Sequence, residues 1–271
     1  MQPTLGVIEL SFDPAFDIGN LTLRWQTVGV TVALLVTLGA AARRTRGSDL
    51  RLADLVLIVC GAVPGAVIGG RIVHGLVFPE AYLAQPATLL DPSVGSLSLL
   101  GSVLGGTASA AYIAHLVGAP VRRWADLAAA PLLVALGLGK IAQLLGGSGQ
   151  GLAFFAPWAV AFPGDGPWVD VRSDMPSHPS QLYEALFLLV GVPIVVRYSR
   201  RIREQLPIGG LFIVALAWFL LGRVLIGFTW RDDRLMGPLN LEQVLAALLL
   251  GGVALALGLL SGRSRLLLGR S

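Results

Sequence analysis

The sequence predicts an all-α protein, a polytopic membrane helical bundle of about seven transmembrane helices, N-terminus outside and C-terminus cytoplasmic. Three observations carry this. The 271-residue chain is 55% hydrophobic and only 13% charged, with a mean hydropathy of +0.75, a balance that belongs to integral membrane proteins. Apolar runs of about 20 residues recur along it, each long enough to cross a bilayer as a helix. Arginines cluster in alternate loops, as the bias of basic residues toward the cytoplasmic side requires.

Met1 to Asn20 is a mixed segment with Glu9, Asp13 and Asp17, expected at the outer surface. It lacks a basic start followed by an apolar core, so no cleavable signal peptide is expected. The first span runs from Leu21 to Ala42 and ends in Arg43, Arg44, Arg46 and Arg51. The second is Leu52 to Phe78, followed by an outer loop, 79–95, with Pro79, Pro86 and Pro92. The third is Ser96 to Val117, ending at Arg122 and Arg123, and the fourth is Ala125 to Gly147. An outer loop, 148–178, is rich in Gly, Pro, Trp and Asp, and loops of this length usually carry function. The fifth span, Pro179 to Val196, leads into Arg197, Arg200, Arg201 and Arg203. The sixth is Ile208 to Phe228, the outer loop 229–240 follows, and the seventh is Leu241 to Ser261, before Arg263, Arg265 and Arg270. No linker divides the chain, so 1–271 is read as a single integral membrane domain.

Several function classes fall away. The net charge of +4 arises in the short basic loops, and no basic and aromatic interleaving suggests nucleic acid, so no nucleic-acid partner is expected. The single cysteine, Cys60, excludes an intrachain disulfide and is expected to pack. His74, His115 and His178 are scattered, so no metal and no cofactor are expected. Gly147 to Gly151 looks like a phosphate loop, but no strand precedes it and no Lys-Ser/Thr follows. No repeat superposes one half on the other, which disfavours a transporter. Trp158, Trp168 and Trp230 fit an aromatic belt at the outer interface.

One stretch stands out, Ser177-His178-Pro179-Ser180-Gln181-Leu182-Tyr183-Glu184. Pro179 suits the first turn of a helix. Ser177 or His178 is expected to cap it, with Gln181 closing the cap. Glu184 lies one turn in, a carboxylate inside a membrane span and so a functional candidate. At the helical rise, Arg71 and Lys140 lie roughly 10 Å from the outer ends of their spans, and Glu184 and Arg223 roughly 8 Å. Three cations and one carboxylate at one depth imply an anion, and a phospholipid phosphate suits the arginine fork. The alternative is a Glu184–Arg223 ion pair, with Arg71 and Lys140 snorkelling or bonding carbonyls.

His178 to Glu184 resembles the signature of the prolipoprotein diacylglyceryl transferase family. Trp25, Gly69-Gly70-Arg71, the Gly-rich start of span three, Gly137-Leu138-Gly139-Lys140 and Gly222-Arg223 fall in the family's order, and the resemblance covers roughly Phe12 to Gly258. Leu100 stands where the family has histidine, Lys140 where it has arginine, and Gln143 where it has asparagine. Gly146-Gly147-Ser148 replaces Asn-Gly-Glu, Gly227 a frequent glutamate, and Gln26 a tyrosine.

The resemblance implies a transferase of the bacterial plasma (inner) membrane, multi-pass, with its active site near the outer leaflet. It would move diacylglyceryl from phosphatidylglycerol to the lipobox cysteine thiol of a preprolipoprotein, in lipoprotein biosynthesis. Its partners are then phosphatidylglycerol, the preprolipoprotein lipobox segment and membrane lipids. Arg223, Glu184 and His178 are the implied catalytic residues. Lys140, Arg71, Gln143, Arg223, Ser180 and Tyr183 are the implied phospholipid-binding ones. Glu184 or His178 could take the thiol proton, or Glu184 could only orient Arg223. The alternative function is a noncatalytic phospholipid- or lipoprotein-binding membrane protein on the same fold.

The arginine pattern makes a direct prediction. Single cysteines at exposed positions of the outer loop 148–178 and at Ser264, in a background lacking Cys60, should react with impermeant thiol reagent from opposite sides of the membrane. Labelling from one side would discard the seven-span orientation.

Overall fold

A chain segment in hydrocarbon must satisfy its own N–H and C=O groups, and a helix does so within one span. In the computed structural model, which describes residues 6–83, 86–89, 97–163 and 174–268, seven helices are long and apolar enough to cross a membrane.

In chain order, strand β1 (Ile8–Glu9) precedes a hairpin of β2 (Ala15–Ile18) and β3 (Leu21–Arg24), then α1 (Trp25–Arg46) and α2 (Leu52–Val77). A short α3 (Glu80–Leu83), α4 (Leu99–Leu116), α5 (Val121–Leu145) and strand β4 (Val160–Ala161) follow. The rest comprises α6 (Ser180–Arg197), the short basic α7 (Ser199–Gln205), α8 (Gly210–Ile226), strands β5 (Arg234–Met236) and β6 (Leu239–Asn240), and α9 (Leu241–Leu268). Trp168, Arg172 and Arg270 lie outside the described residues.

The expected spans agree with these helices to within four residues at each end, except that α9 runs on to Leu268, seven residues past the expected Ser261, and the difference at the start of the first span is instructive. Leu21 to Arg24 is not helical. It pairs antiparallel with Ala15–Ile18, across a turn whose Gly19 takes φ +62°, a conformation glycine adopts without steric cost. Thr22 donates its hydroxyl hydrogen to Asp17 at 2.6 Å. The first helix therefore starts at Trp25, four residues later than the apolar run suggests.

The chain divides into two compact units, Met1–Ala40 with Ala129–Ser271, and Ala41–Ala128. The second unit is built on α2 against α4. Gly61, Gly65 and Gly69 on α2 and Gly101, Gly105 and Ser109 on α4 each recur every four residues, so each set lines one face of its helix. A Cβ on Gly65 would stand 2.6 Å from the Gly105 carbonyl oxygen, and one on Gly105 would collide with the Gly65 carbonyl. Ser109 donates to the Gly61 carbonyl at 2.6 Å. Backbone thus meets backbone, the arrangement that small residues permit between membrane helices. Ser98 ties the start of α4 to α2 through a bond from its N–H to the Gly70 carbonyl (3.0 Å), and its hydroxyl accepts from the Gly101 N–H as an N-cap. At the other end, Leu55, Ile58, Ala114 and Trp124 form an apolar cluster. Arg71 is buried in this unit, as is Leu100, which is fully buried. Cys60 is exposed on α2, not packed as its apolar setting suggested.

In the first unit, helices dock where glycines leave room for large partners. Gly191 of α6 receives Trp218 of α8, and Gly222 of α8 receives Phe187 of α6. The two aromatic rings stack at 4.6 Å, and the Trp218 indole N–H donates to the Phe187 carbonyl. Gly137 of α5 makes space for Leu189 of α6 in the same way. The outward faces stay apolar: Leu34, Leu35, Leu186, Val190, Leu225 and Leu248 are all exposed, as lipid-facing positions are in a membrane bundle.

Gly105→Ala should lower the unfolding midpoint in detergent, because overpacking against backbone costs about 1–3 kcal/mol. Gly251→Ala, on an open face of α9, should leave the midpoint unchanged or raise it. Equal effects would show that the α2–α4 approach does not limit stability.

Candidate functional site

Buried polar side chains gather at one end of the first unit: Lys140, Ser148, Gln150, Ser177, Ser180, Gln181, Glu184, Arg223, Asn240, Glu242 and Gln243. The start of α6 is their hub. Pro179 is its N-cap residue, and no side chain caps it. This corrects the expected cap. The Ser177 hydroxyl donates instead to the Met175 carbonyl and accepts from Arg231. Gln181 reaches away from the cap and donates to the Ser148 carbonyl at 2.6 Å. Ser180 bonds the Thr229 hydroxyl at 2.7 Å. The first turn of α6 is therefore held by the neighbouring loops, not by its own flanking side chains.

Those loops are themselves tied down. Val160 and Ser177 exchange backbone bonds of 3.0 and 3.1 Å, and β1 adds beside β4 in parallel. Arg231 donates from Nε to the Gly151 carbonyl (3.1 Å) and from Nη2 to the Ser177 hydroxyl (2.8 Å), which joins the loop after α8 to the loop before α6.

One turn into α6, Glu184 has a side chain only 1% exposed. Its Oε2 lies 2.8 Å from Lys140 Nζ on α5, and its Oε1 accepts from Arg223 Nη1 on α8 at 2.8 Å. Arg223 Nη2 donates to Glu242, in the first turn of α9. The Trp230 ring lies 4.5 Å from Lys140 Nζ and 5.7 Å from Arg223 Cζ, so its π-face meets both cations. Four helices converge on one cluster of two cations and two carboxylates.

This changes the charge count. The sequence reading set three cations against Glu184 alone. Glu242 supplies a second carboxylate to Arg223. Sequence reasoning passed over Glu242 because a carboxylate in a first helical turn is ordinary. The signal available was the Asn240-to-Gln243 capping box, in which each backbone N–H donates to the other's side chain. That box fixes where α9 starts and hence where Glu242 stands. Gln243 also fills the space that a side chain at Gly227 would need.

Trp230 is a second correction. It is buried against the cations and is no lipid-facing belt residue, whereas Trp158 is half exposed. Asp232 is a further acidic group. Burial raises its carboxyl above the ordinary value, against the pull of Arg223, Lys140 and Arg234.

His178 and Tyr183 form a separate group with Phe154 and Trp158. The His178 ring stacks on Phe154 at 3.8 Å, and the Tyr183 hydroxyl accepts from the Trp158 indole at 2.9 Å. Burial lowers the His178 pKa below its ordinary value of 6.5, so its ring is neutral at pH 7. On acidification below 6.5 the unfolded chain takes up this proton first, so His178 withdraws stability as the pH falls. Gln143 is half-buried beside Gly149. The structure thus brings Lys140, Glu184 and Arg223 into contact, and gathers His178 and Tyr183 with a different set of side chains.

The family described as prolipoprotein diacylglyceryl transferase matches residues 13–258. The chain belongs to the prolipoprotein diacylglyceryl transferase family. It is 30% identical over 249 residues to a phosphatidylglycerol–prolipoprotein diacylglyceryl transferase of Nostoc sp., covering 89% of this chain and 85% of that one. It is 31% identical over 246 residues to a protein of that name from Geobacter sulfurreducens, covering 86% and 90%. A Vibrio vulnificus protein of that name is 29% identical over 254 residues, covering 90% of each. The buried Lys140–Glu184–Arg223 contacts lie within the span that matches the prolipoprotein diacylglyceryl transferase family.

Removing one partner of a buried pair strands the other charge and costs about 3–5 kcal/mol. Glu184→Gln, which removes the carboxylate partner of Lys140 and one of the two of Arg223, should therefore lower the unfolding midpoint in detergent more than Glu242→Gln, which leaves both cations bonded to Glu184. The reverse order would place the centre of the cluster at Glu242.

Proposed function

We propose that this protein is a phosphatidylglycerol:prolipoprotein diacylglyceryl transferase. The observation that carries the reading is the buried Lys140–Glu184–Arg223 cluster in a chain matched by this family over most of its length. In the reaction, the lipobox cysteine thiolate attacks the diacylglyceryl carbon bonded to the phosphate oxygen. The carbon–sulfur bond forms as that carbon–oxygen bond breaks, and the electron pair leaves with glycerol phosphate.

Negative charge grows on the phosphate as the bond breaks. Lys140 and Arg223, held rigid and shielded from water, are suited to stabilise it without reorganising. Both oxygens of Glu184 are engaged by cations, which favours an orienting role over proton removal. His178, neutral at pH 7, is the proposed acceptor that relays the thiol proton to bulk water before attack. Gln143, Ser180 and Tyr183 belong to the proposed phospholipid-binding set. Ser180 and Tyr183 do so through the polar groups that shape the start of α6. The place of Arg71 in that set rests on the resemblance alone. The proposal extends to the setting: the plasma membrane, N-terminus outside, with the cluster near the outer leaflet.

The noncatalytic reading draws on one observation. The position implied to hold histidine is Leu100, which is fully buried and apolar. The transferase reading withstands it, because a thiol of pKa about 8.5 is already a few per cent thiolate at neutral pH.

Purified protein, phosphatidylglycerol and a lipobox peptide should give a peptide heavier by one diacylglyceryl group. The rate should rise between about pH 7 and 9 as the thiolate fraction grows. Arg223→Ala should abolish it. A peptide that stays unmodified at every pH, while phosphatidylglycerol still binds, would favour the noncatalytic reading.

A further inference from the structure

The Arg223 guanidinium is fixed from two sides. Nη1 donates to Glu184 and Nη2 to Glu242. Its third nitrogen, Nε, is buried and its N–H finds no acceptor among the described residues. The Trp230 indole N–H is buried too, likewise without an acceptor among them. Both residues are more than nine-tenths buried, and the guanidinium lies over the Trp230 ring. Buried donors almost always have acceptors, because an unmet one costs the full desolvation of its group. Here two stand on neighbouring side chains, beside Lys140, in the cluster that the proposed reaction uses.

The geometry points to a bound anionic phosphodiester or phosphate monoester whose oxygens accept from the Trp230 indole N–H and Arg223 Nε–H, with Lys140 supplying further positive charge. Trp230 is thus assigned as a substrate-binding residue. This rests on the transferase reading for the identity of the ester, but not for the presence of an anion. An oxygen on the Nε side needs no carboxylate to leave, whereas the Nη edge is already taken. Indole is a neutral donor, so it holds the phosphate without adding a third cation to a water-poor site. Its face meanwhile keeps Lys140 in place through the cation–π contact.

The test labels the full-length protein in detergent micelles with 15N-tryptophan. The Trp230 indole signal is identified by its loss in Trp230→Phe. Titration with short-chain phosphatidylglycerol should move it downfield, and neutral diacylglycerol should not. Glycerol phosphate is the second arm. A shift with it as well assigns the donors to the phosphate alone, and a shift only with the lipid assigns them to the intact phosphodiester. In the lipidation assay, Trp230→Phe, which keeps the ring and loses the N–H, should raise the KM for phosphatidylglycerol about tenfold. A Trp230 signal unmoved by phosphatidylglycerol that saturates the protein, or a Trp230→Phe enzyme with unchanged KM, would overturn the assignment. If the wild-type protein lipidates no peptide, the transferase reading fails. The indole shift then still decides whether this pair binds the anion.

Discussion

The bonds from Lys140 and Arg223 to Glu184 organise the first unit. An isolated charge in a dry interior carries a cost that no single packing contact offsets. Once α5, α6 and α8 each carry one, the helices are stable only where those side chains meet. The glycines at 137, 191 and 222 let α6 lie close enough to both neighbours for this to happen. Apolar packing supplies contact area but little register, since lipid is as apolar as leucine. Depth and rotation of α6 are therefore set by where Glu184 must sit.

The loops answer to the same constraint. Gln181 and Ser180 flank the first turn of α6 and bind the Ser148 carbonyl and Thr229. Arg231 pins the adjoining strand-like segments. Arg234 donates to the carbonyls of Gly227 and Phe228 at the end of α8. The bonds to the carbonyls of Ser148, Gly151, Gly227 and Phe228 satisfy backbone groups that the loops would otherwise leave open. Together they fix both ends of the polar cluster.

The spans were legible in the sequence because hydrocarbon imposes a length and a composition that no soluble segment shares. The helix assignment of α2 was nearly complete for that reason. Leu21 to Arg24 was misread because apolar Leu21 and Leu23 extend the run, while the hairpin depends on pairing with Ala15–Ile18. Lys140, Glu184 and Arg223 were legible as site residues because charge at depth needs an explanation. Glu242 and Trp230 were not. They sit at the span margin, where acids and aromatic rings are expected for other reasons. The docking of α9 on α8 turns Glu242 inward, and pairing with Gly151 holds Trp230 in place.

That docking bears on what the cluster can recognise. A free arginine offers a phosphate its paired Nη edge, two parallel donors. In this protein Glu184 and Glu242 hold that edge, and Gln243 occupies the room beside Gly227 that another side chain could have used. Lys140 in turn offers a point charge with no fork. The arrangement sets two carboxylates against the two cations. It gives up bidentate recognition in return. On the proposed reading, discrimination of the headgroup comes from the Nε side of Arg223 and from groups around Trp230, and the strength of binding from charge that is already oriented.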